Sequence, residues 1–353
     1  MFLRNLWYYA LPGTRLKAGR MTSKTLLGEP VLLGRDAAGQ PFALRDICPH
    51  RGIPLSYGSF DGREVECCYH GWRFGTDGVC TAIPSLVEGQ KFDVSKVGVH
   101  SYPCREVQGN VWVFFADGAG GAGGDAAGDP EGADDLPAIP EVPDFAGKPF
   151  DMVETMAFPC HVDHAVVGLM DPSHGPFVHR SWWWRSAKSI HAKEKRFVPS
   201  ELGFTMARHR PSRNSKAYKI LGGVPETEIR FQLPGVRVEH TTAGRHSVCN
   251  LTAVTPVDEN NTIVNHAIYW TVGWASAIRP LLQPFARNFL RQDRDIVVRQ
   301  QEGLRHDPNL MLINDSDTQA KWYYRLKKEW QRMSDDGGPF VNPVQETVLR
   351  WRS

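Results

Sequence analysis

Cys48-Pro49-His50-Arg51-Gly52 and Cys67-Cys68-Tyr69-His70-Gly71-Trp72 decide how this chain is read. The first stretch holds Cys-x-His, and after sixteen intervening residues the second holds Cys-x-x-His. Each short motif therefore supplies one thiol and one imidazole. Pro49 and Gly52 follow the first Cys and Gly71 follows the last His, so both motifs sit in turns. Asp61-Gly62 and Asp77-Gly78 are hairpin-turn dipeptides flanking the second motif. The expectation is two β-hairpin loops, Cys48 and His50 on one, Cys67 and His70 on the other, closing over a metal group without help from a helix.

Two thiolates and two imidazoles in this arrangement suit a Rieske [2Fe-2S] cluster, in which two Cys hold one iron and two His the other. Each exchange of a thiolate for a neutral imidazole removes a negative charge and makes reduction easier. The potential rises from about −400 mV for all-Cys plant-type clusters to roughly −150 to +300 mV. The rival reading is a zinc site of the same donor types, although zinc fingers usually pair Cys with Cys and His with His.

Around these motifs the chain reads as short strands. Glu29–Gly34 and Pro41–Arg45 are apolar-rich runs separated by Asp36-Ala37-Ala38-Gly39, and Asn110–Phe115 looks like a buried strand. Residues 1–116 are expected to form an all-β cluster domain. From Asp117 the chain turns to Gly, Ala and Asp, then becomes Pro-rich up to Pro149. Such composition cannot offset the entropy of ordering, so 117–149 reads as a linker, with a mobile lid as the alternative. Residues 150–353 form the second domain. With 353 residues the chain fits two domains, and its 41% hydrophobic and 23% charged residues are ordinary for globular proteins. A net charge of +2 gives no field suited to nucleic acid or membranes. Of seven Cys, the five outside the two motifs are scattered without a disulfide-like framework, and the N-terminus lacks a long apolar run and a cleavage site, which points to a soluble, cytoplasmic protein.

The second domain carries Asp171-Pro172-Ser173-His174-Gly175-Pro176-Phe177-Val178-His179, with two His five positions apart. Gly175-Pro176 forbids a regular helix there, and a kinked segment can bring both imidazoles to one ion. A 2-His-1-carboxylate set leaves positions open on Fe(II) for dioxygen and needs one Asp or Glu from elsewhere. Leu281 to Leu304 has helical periodicity, with Leu282, Phe285, Ala286, Phe289, Ile296, Val297 and Gln300 along one side. Asp293 lies within that stripe while Asp295 points nearly opposite, so Asp293 is the candidate ligand. Pairing of Asp293 with Arg291 or Arg294 is the alternative. Trp182-Trp183-Trp184 reads as a pocket wall or as core or interface packing, and His161 and His164 as supporting or structural. Strand-like runs at Lys193–Val198, Gly235–Thr241, Ser247–Val254 and Thr262–Val272, then one long helix and a polar, aromatic tail, give an α+β class. An antiparallel sheet is expected beside the iron-ligating helix.

With both constellations in place, the chain resembles the α subunit of the Rieske non-haem iron oxygenases along nearly its whole length. Its size is similar to the branch of vanillate O-demethylase and related monooxygenases. The resemblance implies the cluster ligands Cys48, His50, Cys67 and His70, and the iron ligands His174, His179 and Asp293. It further implies that Asp171 bridges to a cluster His of a neighbouring subunit in a head-to-tail ring, a homotrimer. A local capping role beside Pro172 is the alternative for Asp171. Many relatives carry Asn shortly before this Asp, where this chain has Val167-Gly168. The chain shows no convincing dinucleotide-binding loop, so a separate reductase or ferredoxin is expected to deliver electrons. The implied activity is mono-oxygenation of an aromatic or other apolar substrate. The alternatives are cis-dihydroxylation of an arene, a Rieske electron carrier without oxygenase activity, and a zinc-stabilised binding module.

Overall fold

The structure, a computed structural model, describes residues 2–117, 136–179, 190–211 and 222–353. Its backbone divides into two compact units, Phe2–Ile139 and Pro140–Ser353. Residues 118–135 of the expected linker and Trp182-Trp183-Trp184 lie outside the described residues.

The first unit holds three antiparallel sheets. One pairs Leu6–Pro12 and Cys104–Val107 on either side of Asn110–Phe115, a strand buried at every position. A second joins Arg20–Leu26, Glu29–Arg35, Pro41–Arg45 and Ser101–Tyr102. The third is a small meander of Ser59–Phe60, Glu64–Glu66, Arg73–Gly75 and Cys80–Ala82. Its two outer turns are the Asp-Gly dipeptides, with Gly62 and Gly78 at φ of 98° and 85°. Leu32, Leu44, Leu55, Val65 and Phe74 are fully buried between these elements and Cys48 and Cys67, which sets both thiols on a firm apolar floor.

The second unit is one eight-stranded antiparallel sheet. Its spatial order is Met152–Phe158, Asn261–Trp270, His246–Asp258, Val236–Ala243, Pro225–Gln232, Gly203–His209, Ala192–Ser200 and Thr347–Arg352. The helices are α1 (Val162–Met170), α2 (Gly175–Val178), α3 (Gly273–Ala277), α4 (Arg279–Leu304) and α5 (Thr318–Asp336). Helix α1 lies on Asn261–Trp270 and His246–Asp258, α4 on Met152–Phe158, and Trp322 and Tyr323 of α5 pack against Phe204 and Phe231. No helix among the described residues is long and apolar enough to cross a membrane.

Two stretches depart from the sequence expectation. Residues 136–149 are tied to the folded units: the Pro137 carbonyl accepts from Trp7 Nε1, and Val142 and Phe145 are buried. The polar, aromatic segment after α4 contains a second long helix and an edge strand. Ala320, Tyr323, Leu326 and Trp330 recur at helical spacing and are buried in α5, a stripe obscured by the surrounding Lys, Arg and Glu.

Candidate functional site

The two cluster loops are built alike. The N–H of Gly52 donates to the Cys48 carbonyl at 2.8 Å, and that of Gly71 to the Cys67 carbonyl at 3.0 Å. Each Cys N–H in turn donates to the residue after the glycine, Cys48 to Ile53 at 2.9 Å and Cys67 to Trp72 at 2.8 Å. Closing such a loop needs a left-handed residue, which Gly52 and Gly71 supply at φ of 73° and 68°. The His50 and His70 rings then come within 4.5 Å of each other, and Trp72 stacks flat on His50.

The donors suit a bound group. Cys48 and Cys67 are buried free thiols, and burial, then the neighbouring Cys67 thiol, pushes the Cys48 thiol up to about 11. Nδ1 of His50 is buried with no hydrogen-bond partner. A thiol held up in this way ionises when a metal compensates the charge. Sequence reading missed Asp46, two residues before Cys48. This buried carboxylate accepts from the Ser23 hydroxyl and from both the N–H and hydroxyl of Ser56 at 2.6–2.8 Å, pinning the first loop. A lone Asp-Ile-Cys carries no sequence signal for those partners.

In the second unit, Gly175-Pro176 opens the single-turn α2, which swings His174 and His179 onto one another. Their Nε2 atoms lie 3.1 Å apart, and Oδ1 of Asp293 is 3.6 Å from His174 Nε2 and 3.2 Å from His179 Nε2. A first-row metal about 2.1 Å from three donors at angles between 90° and tetrahedral keeps them about 3.0–3.4 Å apart. Two edges of the triangle fall in that range and the third, at 3.6 Å, is slightly longer, so the three donors can converge on one ion as a facial 2-His-1-carboxylate set. Asp295 lies elsewhere, beside Arg291 and Arg294.

The neighbours orient both rings. His179 Nδ1 donates to Oε1 of Gln292 at 3.0 Å, which leaves the lone pair on Nε2, and Phe289 stacks on the ring at 3.8 Å. Nδ1 of His174 is buried and 3.7 Å from Oδ2 of Asp171, an electrostatic rather than hydrogen-bonding distance. Burial opposes a charge on His174, but the Asp171 and Asp293 carboxylates outweigh it and hold the imidazole above its usual range. The other Asp171 oxygen accepts the Ser173 N–H at 2.7 Å, so the local turn and His174 share this carboxylate. His161 caps α1 by accepting the Asp163 N–H, and His164 lines the cavity described next.

Beside Asp293 is a cavity of about 360 Å³, within the usual range for small-molecule sites. Its helix side comes from one stripe of α4, with Phe289, Asp293, Ile296, Val297 and Gln300 at i, i+4, i+7, i+8 and i+11. Of the stripe expected from the sequence Val297 alone is buried, while Phe285, Phe289 and Ile296 are exposed, the last two on the cavity. The floor is a cross-strand row on the sheet, His266–Thr252–Arg237, each residue in register with the next. His266 Nδ1 meets the Thr252 hydroxyl at 2.8 Å, and burial, then the Arg237 charge, pushes the imidazole down to about 4. Elsewhere Asp144, His240 and Ser247 form a cluster, but one imidazole nitrogen meets both partners. That geometry clamps the 140s to the sheet and activates no nucleophile.

Residues 6–103 match the family of Rieske [2Fe-2S] domains, and residues 158–332 match the vanillate O-demethylase oxygenase C-terminal domain. Over 187 residues, 52% of the chain, the sequence is 37% identical to chlorophyllide a oxygenase of Chlamydomonas reinhardtii. Over 184 residues, 51% of the chain, it is 33% identical to the dicamba O-demethylase oxygenase component of Stenotrophomonas maltophilia. The matched parts span 25% and 48% of those two relatives. In structure, dicamba monooxygenase bound to dicamba superposes with a TM-score of 0.71 over 95% of this chain and 99% of that one. At 20% identity this is a likeness of fold.

Proposed function

The chain belongs to the Rieske oxygenases with a C-terminal domain of the vanillate O-demethylase type, and from that premise we propose that it is the terminal oxygenase of an electron-transfer system. Its reaction inserts one atom of dioxygen into an aromatic or other apolar organic substrate, by hydroxylation or O-demethylation, and the other atom leaves as water. The observation that carries this reading is the His174–His179–Asp293 triangle beside a cavity of small-molecule size, in a chain that also folds a Rieske domain.

Cys48, Cys67, His50 and His70 would hold the [2Fe-2S] cluster, and His174, His179 and Asp293 a mononuclear Fe(II). When bound, these groups supply one-electron storage and the reduction of dioxygen. The protein's own part is to bind, orient and exclude water. Gln292 fixes the His179 tautomer, and the apolar Val254, Val264, Leu290 and Val297 keep water from the cavity wall. Asp171, whose carboxylate faces the His174 ring, is the proposed bridge to the cluster His of a neighbouring subunit in a homotrimer. Electrons are proposed to come from a separate reductase or ferredoxin in the cytoplasm.

Reconstituted protein is expected to contain three irons per chain. Asp293→Ala should lose one and retain the Rieske-type electron-resonance signal, while Asp295→Asn keeps all three. With labelled dioxygen, one labelled atom in the organic products, on the hydroxylated carbon or in the formaldehyde that O-demethylation releases, marks a mono-oxygenase. Two labelled atoms would replace that reading with cis-dihydroxylation, and two irons in the wild type would end the oxygenase reading. Asp171→Asn should keep all three irons and nearly stop turnover, and wild-type turnover would exclude the bridge.

A further inference from the structure

We propose that the cavity beside Asp293 selects organic anions, with the Arg237 guanidinium as the group that takes a substrate carboxylate. The inference rests on reading this cavity as the substrate pocket and adds the substrate's charge. Arg237 is the single Lys or Arg among the described residues that line it. Its side chain is 23% exposed, and Nη2 pairs with Oε2 of Glu239 at 2.8 Å. Nε and Nη1 have no hydrogen-bond partner among the described residues, and each keeps some accessible surface. A guanidinium that spends one of its five N–H donors on protein and lines a cavity is set up for a forked acceptor.

The other charges on the lining are already engaged. Asp293 faces the two iron His, Asp171 the Ser173 N–H and His174, and Asp317 accepts the Ile313 N–H at 2.8 Å. Arg237 stands on the sheet floor two strands from His266, a span of about 10 Å. Thr252 lies between them, tied to His266, so it makes no claim on the guanidinium. Val254 and Val264, two positions along their strands, carry apolar surface from this polar row along the floor. The pocket thus offers a charged end for a carboxylate and an apolar body. Glu239 competes with a bound anion for Nη2, so its charge restrains affinity without abolishing it.

The test is calorimetric titration of the full-length holoprotein with substituted benzoates and their matched benzamides, beginning with 4-methoxybenzoate and 4-methoxybenzamide. Wild type should bind the acids about ten- to a hundredfold more tightly than the amides, the range for one charge-assisted contact. Arg237→Gln should erase that preference. Glu239→Gln, which keeps the guanidinium, should tighten the acids several-fold and leave the amides unchanged. Equal or better binding of the amides, no binding of any acid, or a preference surviving in Arg237→Gln overturns the inference. An Arg237-dependent preference without oxygen incorporation would defeat the oxygenase reading alone. Oxidation of amides and acids alike would defeat the charge selection alone.

Discussion

Gln292 sits one residue before Asp293 and hydrogen-bonds His179, so a single dipeptide of α4 supplies one proposed ligand and orients another. Gln292→Leu should weaken mononuclear iron binding about 10- to 100-fold, the usual effect of losing such an orienting partner, without touching the cluster signal. Competition with a calibrated chelator measures it. His266 makes a different prediction. Its folded pKa, about 4, lies below the ordinary 6.5, so the unfolded chain binds a proton that the native chain refuses between those values. Stability is therefore full above pH 6.5 and falls as pH drops toward 4, by up to about 3 kcal/mol. His266→Asn should flatten that slope in urea titrations run at successive pH values. At this scale the sequence showed the donors and not their surroundings. Cys48, His50, His174 and His179 announce themselves by local spacing. Arg237, Thr252 and His266 meet only through strand register, which no short window of sequence records.

Among the elements, α4 was legible and α5 was not. The apolar period through Leu281 to Leu304 marks a helix that runs Arg279–Leu304, and the same period separates Asp293 from Asp295. Helix α5 hides its buried stripe among charged residues, yet it anchors α1. Asp163 of α1 accepts from the Tyr323 hydroxyl at 2.6 Å and pairs with the Lys327 ammonium. Burial alone would raise the Asp163 pKa, but these two partners outweigh it and hold the carboxyl below its usual range. The contribution is complete above the unfolded carboxyl pKa and disappears as pH falls through the lower folded one. Lys327→Met, leaving a mostly buried carboxylate without its ammonium partner, should cost about 3 kcal/mol at neutral pH. The deficit should shrink as pH falls, because without the ammonium Asp163 protonates at a higher pH in the variant than in the wild type. Since α1 ends at Asp171, iron occupancy of the same variant reports whether the clamp also steadies the metal loop.

Taken whole, the chain is two units with separate cores, one all-β and one a helix-covered sheet. Composition made the change of character near residue 117 legible. It could not show that 136–149 pack down, because Val142 and Phe145 are isolated apolar residues among Pro, Asp and Gly. With separate cores, Cys67→Ser should strip the cluster and lower the first unit's melting transition. The second unit's transition and its mononuclear iron should stay near wild type, as differential scanning calorimetry with metal analysis would show. The sheet carries one further consequence. Ala192–Ser200 finds its outer neighbour only in Thr347–Arg352, so on the ribosome that edge waits for some 150 more codons. At ordinary elongation rates this takes roughly ten to thirty seconds. Lys193, Glu194, Lys195 and Arg196 are the charges that deter mispairing meanwhile. Replacing these residues with Val or Thr should send newly made chains into inclusion bodies, even where the finished fold would tolerate the change.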